Sequence, residues 1–237
     1  MNNSSLNKYI KTDIIKDIVR KIDQTKYYTN HGPYSKKIEK SISKNFKKIN
    51  FVALSEIYIA LLIIIEAFNS KRVILIDVNF SELFEKLNDH IKLETKKFQK
   101  IDKVLFHQIS KNKDSVIFLN LKTIYENENF FNNLKTKKTF NVVVICNDIS
   151  ELQNFESIKK NFNNKFNFIY LFTLDPTKLT GCFIGSIDNE FNHVIRNYRS
   201  SYGTNKFVSV SKTCNARFSE TQAILCLQVL GEQVNRE

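Results

Sequence analysis

The chain has 237 residues, 42% of them hydrophobic, and carries 36 Lys and Arg against 24 Asp and Glu, a formal net charge of +12. A core of useful size is affordable at that length, and a basic surface attracts phosphates. The longest apolar run, Ile57 to Ile65 between Glu56 and Glu66, is about half of a bilayer crossing, which argues against a membrane span.

From the amino end, Leu6, Tyr9, Ile10, Ile14, Ile18 and Ile22 recur at the spacing of one helix face and predict an amphipathic helix over 6–22. This terminus has no apolar core followed by small residues, so the expected compartment is the cytoplasm. Gly32-Pro33 marks a turn, after which Ser35 is placed to cap a helix beginning near Lys36. The pattern then changes to short Val-, Ile- and Phe-rich runs separated by helical stretches. "NFVAL" (50–54), "RVILID" (72–77), "SVIFLN" (115–120), "NVVVIC" (141–146) and "NFIYLFT" (167–173) read as strands, with "CFIGSID" (182–188) following. Between them, "EIYIALLIIIEAF", "SELFEKLNDHI", "NENFFNNL" and "SELQNFESIKKNF" read as helices. Strands apolar on both faces, alternating with helices, imply an α/β fold: three layers, with a mostly parallel sheet covered on both sides. "NFVAL", "NVVVIC" and "NFIYLFT" are expected inside that sheet. No Pro- or Gly-rich linker interrupts residues 1–237, which are read as one domain.

Cys146, Cys182, Cys214 and Cys226 lie far apart without a CxxC pair, and the four histidines lack ligand spacing, so neither a disulfide frame nor a metal site is expected. Lysines form short pairs, not one stripe, and no nucleic-acid motif accompanies them. A solvated surface is the expected role, with no nucleic acid as partner.

In open parallel sheets ligands gather at the carboxyl ends of strands. Ser55 and Glu56, Asp148, and Thr173 to Lys178 stand there. An acid and an amine converging at such a crevice suit a pyridoxal phosphate site, where the amine bonds the cofactor aldehyde and the carboxylate keeps the pyridine nitrogen protonated. By spacing alone, a structural salt bridge or two unrelated surface charges is the favoured reading of Asp148 and Lys178.

Four ordered segments carry a family resemblance. They are "TNHGP" with "KKIEK", "VVVICND", "LFTLDPTKL" with the following "GSIDNEFNHVIRNYRSSYG", and "NARFSETQAILCLQVL". Together they resemble the DegT/DnrJ/StrS-type sugar aminotransferases, fold-type-I pyridoxal phosphate-dependent transferases, over roughly 200 residues, with 79–115 matching loosely. The resemblance implies pyridoxal 5'-phosphate as cofactor, Lys178 as the amine bonded to it, Asp148 as the pyridinium partner and Thr173 as a phosphate ligand. Asn215 would reach the cofactor phosphate of a neighbouring subunit, which implies a homodimer. A keto-sugar nucleotide would be the substrate and an amino acid, glutamate by expectation, the amino donor.

The sequence also departs from the family pattern. Ile57-Tyr58 replaces the Gly-Thr pair that lets a helix N-terminus hold the phosphate. Asp175 stands where the family has His, and Ile149-Ser150-Glu151 where it has Ala-Ala-Gln. The family continues into a small C-terminal domain, whereas these residues end at Glu237 within the last helix. That domain's absence would leave Phe218, Ala223, Leu225, Leu227, Val229 and Leu230 partly uncovered, a second reason to expect a homodimer. The alternative reading is a catalytically impaired relative acting as a binding subunit.

Overall fold

A computed structural model describes residues 12–27, 32–46, 48–70, 72–76, 92–99, 115–132, 139–147, 149–158, 166–174, 181–200 and 216–234, with single positions 84, 85, 87, 101 and 105. Asp148, Asp175, Lys178 and Asn215 lie outside the described residues.

Among the described residues seven strands form one sheet: β1 (Asn50–Leu54), β2 (Arg72–Ile76), β3 (Glu94–Phe98), β4 (Ser115–Asn120), β5 (Phe140–Cys146), β6 (Phe166–Phe172) and β7 (Cys182–Ser186). Their order is β1-β7-β6-β5-β4-β2-β3. All neighbours pair parallel except β7, which runs against both β6 and β1. The expected α/β architecture with a mostly parallel sheet is therefore present.

The helices are α1 (Thr12–Thr25), α2 (Pro33–Lys44), α3 (Ile57–Ala67), α4 (Leu121–Glu126), α5 (Glu128–Asn132), α6 (Ile149–Ile158), α7 (Asn189–Arg199) and α8 (Glu220–Val234). Successive strand residues point to opposite faces, so apolar runs feed two cores. On one face Phe51, Ala53, Val142, Val144, Tyr170 and Phe172 meet Ile38 and Ile42 of α2, Leu152 and Phe155 of α6, and Ala223 and Val229 of α8. On the other face Val52, Leu54, Val143, Ile145, Ile169 and Leu171 meet α3 and α7. The run that is too short for a bilayer is α3: Ile57, Ala60, Leu61, Ile63, Ile64 and Ile65 are buried within the second core. No helix among the described residues is long and apolar enough to cross a membrane.

Three expectations need correction, and one strand was not expected. β1 is an edge strand, paired with β7 alone, although both of its faces are buried. β3 has no apolar run to announce it. "ETKKF" is half-exposed, pairs only with β2 and carries the Arg72–Glu94 ion pair at 2.5 Å; charge on an edge strand discourages further pairing. α2 begins at Pro33, not near Lys36. Gly32 is its N-cap and offers no side chain, so Glu220 of α8 accepts from Tyr34 N at 2.8 Å and Ser35 N at 3.0 Å instead. Finally, α8 is covered: it packs on α2 and α1, burying Phe218, Ala223, Val229 and Leu230, with only Leu225 and Leu227 half-buried. Among the described residues, α8 leaves no broad apolar patch.

The free edge of β1 is closed by side chains. Phe51 N–H donates to Ser43 Oγ at 3.3 Å and Ala53 N–H to Glu39 Oε1 at 3.0 Å. Phe51 O accepts from Arg196 Nη2 at 3.2 Å and Ala53 O from Arg199 Nη1 at 2.9 Å. Glu39 binds both arginines, Arg196 at 2.7 Å and Arg199 at 2.8 Å. Burial alone would raise its carboxyl, but the Arg199 and Arg196 charges and the Ala53 N–H outweigh that and hold it below its ordinary value.

Candidate functional site at the carboxyl ends of the strands

Since β7 reverses direction between them, β1 and β6 run the same way, and the carboxyl ends of β1, β2, β4, β5 and β6 share one rim of the sheet. Register fixes the order along it: Leu54 lies beside Cys182, Phe183 beside Phe172, Phe172 beside Cys146, and Ile145 beside Asn120. Thr173, half-buried, directly follows β6, and Asn147 directly follows β5. The two strands that carry the sequence-predicted acid and amine are thus parallel neighbours. Their residues Asp148 and Lys178 belong to the undescribed positions, so of the four predicted site residues only Thr173 has a described location.

At the β1 end the chain is tightly held. Ser55 N–H donates to Ala216 O at 3.2 Å, and Ser55 O accepts from Gln222 Nε2 at 3.1 Å. Gln222 is itself fixed by Ser219. Ser219 Oγ accepts from Gln222 N at 3.1 Å, while Gln222 Oε1 accepts from Ser219 N at 3.1 Å. This is a capping box at the start of α8, and the spacing "SETQ" is its sequence signature. Below it Gly181 has φ +69°, and any Cβ there would collide with Leu54 O, so only glycine lets this turn pass under β1. The segment resembling the family's Asn-x-Arg stretch therefore enters the described structure at Ala216, bonded to the end of β1.

Cys182 is completely buried beside Leu54; burial, then the charge of Glu56, raises its thiol so that it stays neutral. At the β5 end, Glu151 accepts from Asn147 N at 2.8 Å and Nδ2 at 2.9 Å, closing the first turn of α6. Tyr125 of α4 is raised by burial and then by Cys146 and Glu151, which places it near this same end. Its buried hydroxyl has no hydrogen-bond partner among the described residues. Sequence reasoning passed over Tyr125 because α4, directly after β4, has no turn signal to separate it from the strand. Among the described residues no His, Cys, Asp and Glu group is arranged to hold a metal.

The described rim fits a pyridoxal phosphate phosphoryl group only in part. Thr173 offers a hydroxyl at the β6 end. The N-terminus of α3 does not fit: Glu56 occupies it as N-cap, its Oε2 accepting from Ile59 N at 3.3 Å, and Ile57 is buried. A phosphate brought there would meet a carboxylate in place of free N–H groups.

No protein-family profile and no curated protein sequence matches the chain. Solved structures do. A Bacillus cereus protein assigned as a PLP-dependent aminotransferase is 16% identical with a TM-score of 0.65, over 96% of this chain and 66% of that one. Helicobacter pylori PseC, an aminotransferase involved in the biosynthesis of pseudoaminic acid, is 14% identical with a TM-score of 0.60, over 92% of this chain and 62% of that one. A GDP-4-keto-6-deoxymannose-3-dehydratase with a trapped PLP-glutamate geminal diamine is 16% identical with a TM-score of 0.56, over 94% and 66%. The chain spans about two-thirds or less of the length of each of these proteins, and it has the fold they share.

Proposed function

We propose that the chain is the large domain of a pyridoxal phosphate-dependent sugar aminotransferase that passes an amino group from an amino acid, glutamate in the simplest case, to a keto-sugar nucleotide. The observation that carries this reading is the sheet itself. The fold built on that sheet matches, over 96% of the chain and at a TM-score of 0.65, a structure assigned as a PLP-dependent aminotransferase. In this reading Lys178 supplies the amine, Asp148 the carboxylate for the pyridine nitrogen, and Thr173 and Asn215 hydrogen bonds to phosphate. Pyridoxal phosphate, when bound, supplies the electron sink that amino-group transfer needs. Asn215 acting across a subunit boundary makes a homodimer part of the proposal, and a nucleotide substrate makes the cytoplasm the fitting compartment. A titration of pyridoxal phosphate into the wild-type chain and Lys178→Ala, followed by absorbance, is expected to give a new band in the wild type alone. Identical spectra overturn the assignment of Lys178.

A second reading, a binding subunit with impaired catalysis, is favoured by one specific observation. Glu56 caps α3 at the position where the resemblance requires phosphate.

A further inference from the structure

The lysines of α2 were expected to be ordinary solvated charge, yet three of them share a groove. Lys36, Lys40 and Lys44 are spaced four apart, on one face of the helix, and span about 12 Å at 1.5 Å per residue. With Arg196, Ser43 and Asn50 they line a concavity of about 430 Å3, within the range of small-molecule sites. None of the three lysines has an acidic partner among the described residues, unlike Lys21, Lys26, Lys97 and Lys122, which have one. The one carboxylate in the groove, Glu39, is already saturated by Arg196, Arg199 and the Ala53 N–H. Asn50 Nδ2 is engaged with Asn189 Oδ1 at 2.7 Å, so this wall is held by α7. The backbone of β1 offers nothing to an incoming strand, because both Phe51 and Ala53 are paired on their outer side. The charge in the groove that has no partner among the described residues is therefore that of the three lysines. Asn50 begins β1 and Ser55 follows it, so the groove and the strand-end rim are separated by about 17 Å of strand.

We infer that this groove binds a small oligophosphate, a chain of two or more linked phosphates either free or borne by a nucleoside, at a site distinct from the carboxyl-end rim. Lysines act as mobile point charges toward phosphate, and three in a row one helical turn apart match a linear run of phosphates better than a single one. The groove is too short for a continuous nucleic acid strand to be its intended occupant.

Calorimetric titration with inorganic tripolyphosphate tests this on the full chain. Compared are the wild type, Lys40→Glu/Lys44→Glu, and Lys122→Glu as a control on the opposite charge pattern. Tripolyphosphate is expected to bind the wild type and the control alike, at least tenfold tighter than orthophosphate, and at least tenfold weaker to the double variant. Equal affinity in all three proteins, or no binding to the wild type, overturns the proposal. Random-sequence RNA that binds tighter per site than tripolyphosphate, and is lost in the same variant, also overturns it in favour of a polymer. Should the double variant fold poorly, the wild type still decides. Tripolyphosphate must protect Lys36, Lys40 and Lys44 from acetylation, read by mass spectrometry, and uniform acetylation rules the site out. Since pyridoxal phosphate and Lys178 play no part in this readout, its failure leaves the proposed function standing, and the reverse.

Discussion

Two glutamates serve the same strand in opposite ways. Glu39 closes the flank of β1, buried and held by two arginines and a backbone N–H. Glu56 closes the carboxyl end, exposed and holding a single N–H of α3. Burial makes the difference: out of water a charge must be fully matched or it is ruinous, whereas in water a lone cap costs little to make and little to lose. The flank is built to be permanent, while the carboxyl end is closed by a contact that an opposing anion has only to outbid.

The largest effect is expected at the flank. Glu39→Ala removes the carboxylate that faces the buried charge of Arg199 and the acceptor of the Ala53 N–H, and should destabilise by about 3–5 kcal/mol in chemical denaturation. A loss under about 1 kcal/mol would erase the distinction between the two glutamates. The same contact predicts acid sensitivity. Because the folded carboxyl is held below its ordinary value of 4.5, its contribution is complete above that pH and is lost as pH falls through the lower folded value. Stability measured against pH should therefore drop more steeply below 4.5 in the wild type than in Glu39→Gln.

Glu220 lies between the extremes, buried like Glu39 but bonded, among the described residues, to two N–H groups of α2 alone. Glu220→Ala should cost about 1–3 kcal/mol, the penalty of leaving buried donors unpaired, again read by denaturation. The smallest change belongs to Glu56→Ala, about 0.5–1 kcal/mol of stability as for an ordinary exposed cap. It should nevertheless tighten pyridoxal phosphate binding by about threefold, since a carboxylate at the helix terminus opposes an incoming anion by a fraction of a kcal/mol. An absorbance titration reads it, and weaker binding in Glu56→Ala would show that the carboxylate assists the ligand.

What the sequence disclosed follows from this contrast. The interior strands were legible because β4, β5, β6 and β7 are apolar on both faces, and an apolar run of that length has few other uses. β3 was not legible, since "ETKKF" on an edge needs no such run. Glu39, Arg196 and Arg199 gave no signal, being brought together across more than 150 residues of chain. The long-range cap from Glu220 was hidden for the same reason, although its neighbours Ser219 and Gln222 spell a local capping box that the sequence does contain. At the rim, apolar runs located the strand ends, and the resemblance assigned their roles. The occupation of the α3 terminus by Glu56 was not legible, because Glu is an uncommon N-cap.

The reversed strand β7 has a consequence for synthesis. Asn50 of β1 pairs with Ser186 of β7, and no other described strand lies beside β1. First in chain order among the described strands, β1 cannot join the sheet before β7 has been made. It waits until residue 186 has left the ribosome, by which time β2 and β4 to β6 can already lie side by side. The arginines that cover its outer edge, Arg196 and Arg199, emerge directly afterwards. One late stretch of nascent chain thus supplies both the strand that β1 pairs with and the arginines on its outer carbonyls, whereas Ser43 and Glu39, which take its outer N–H groups, are made before it.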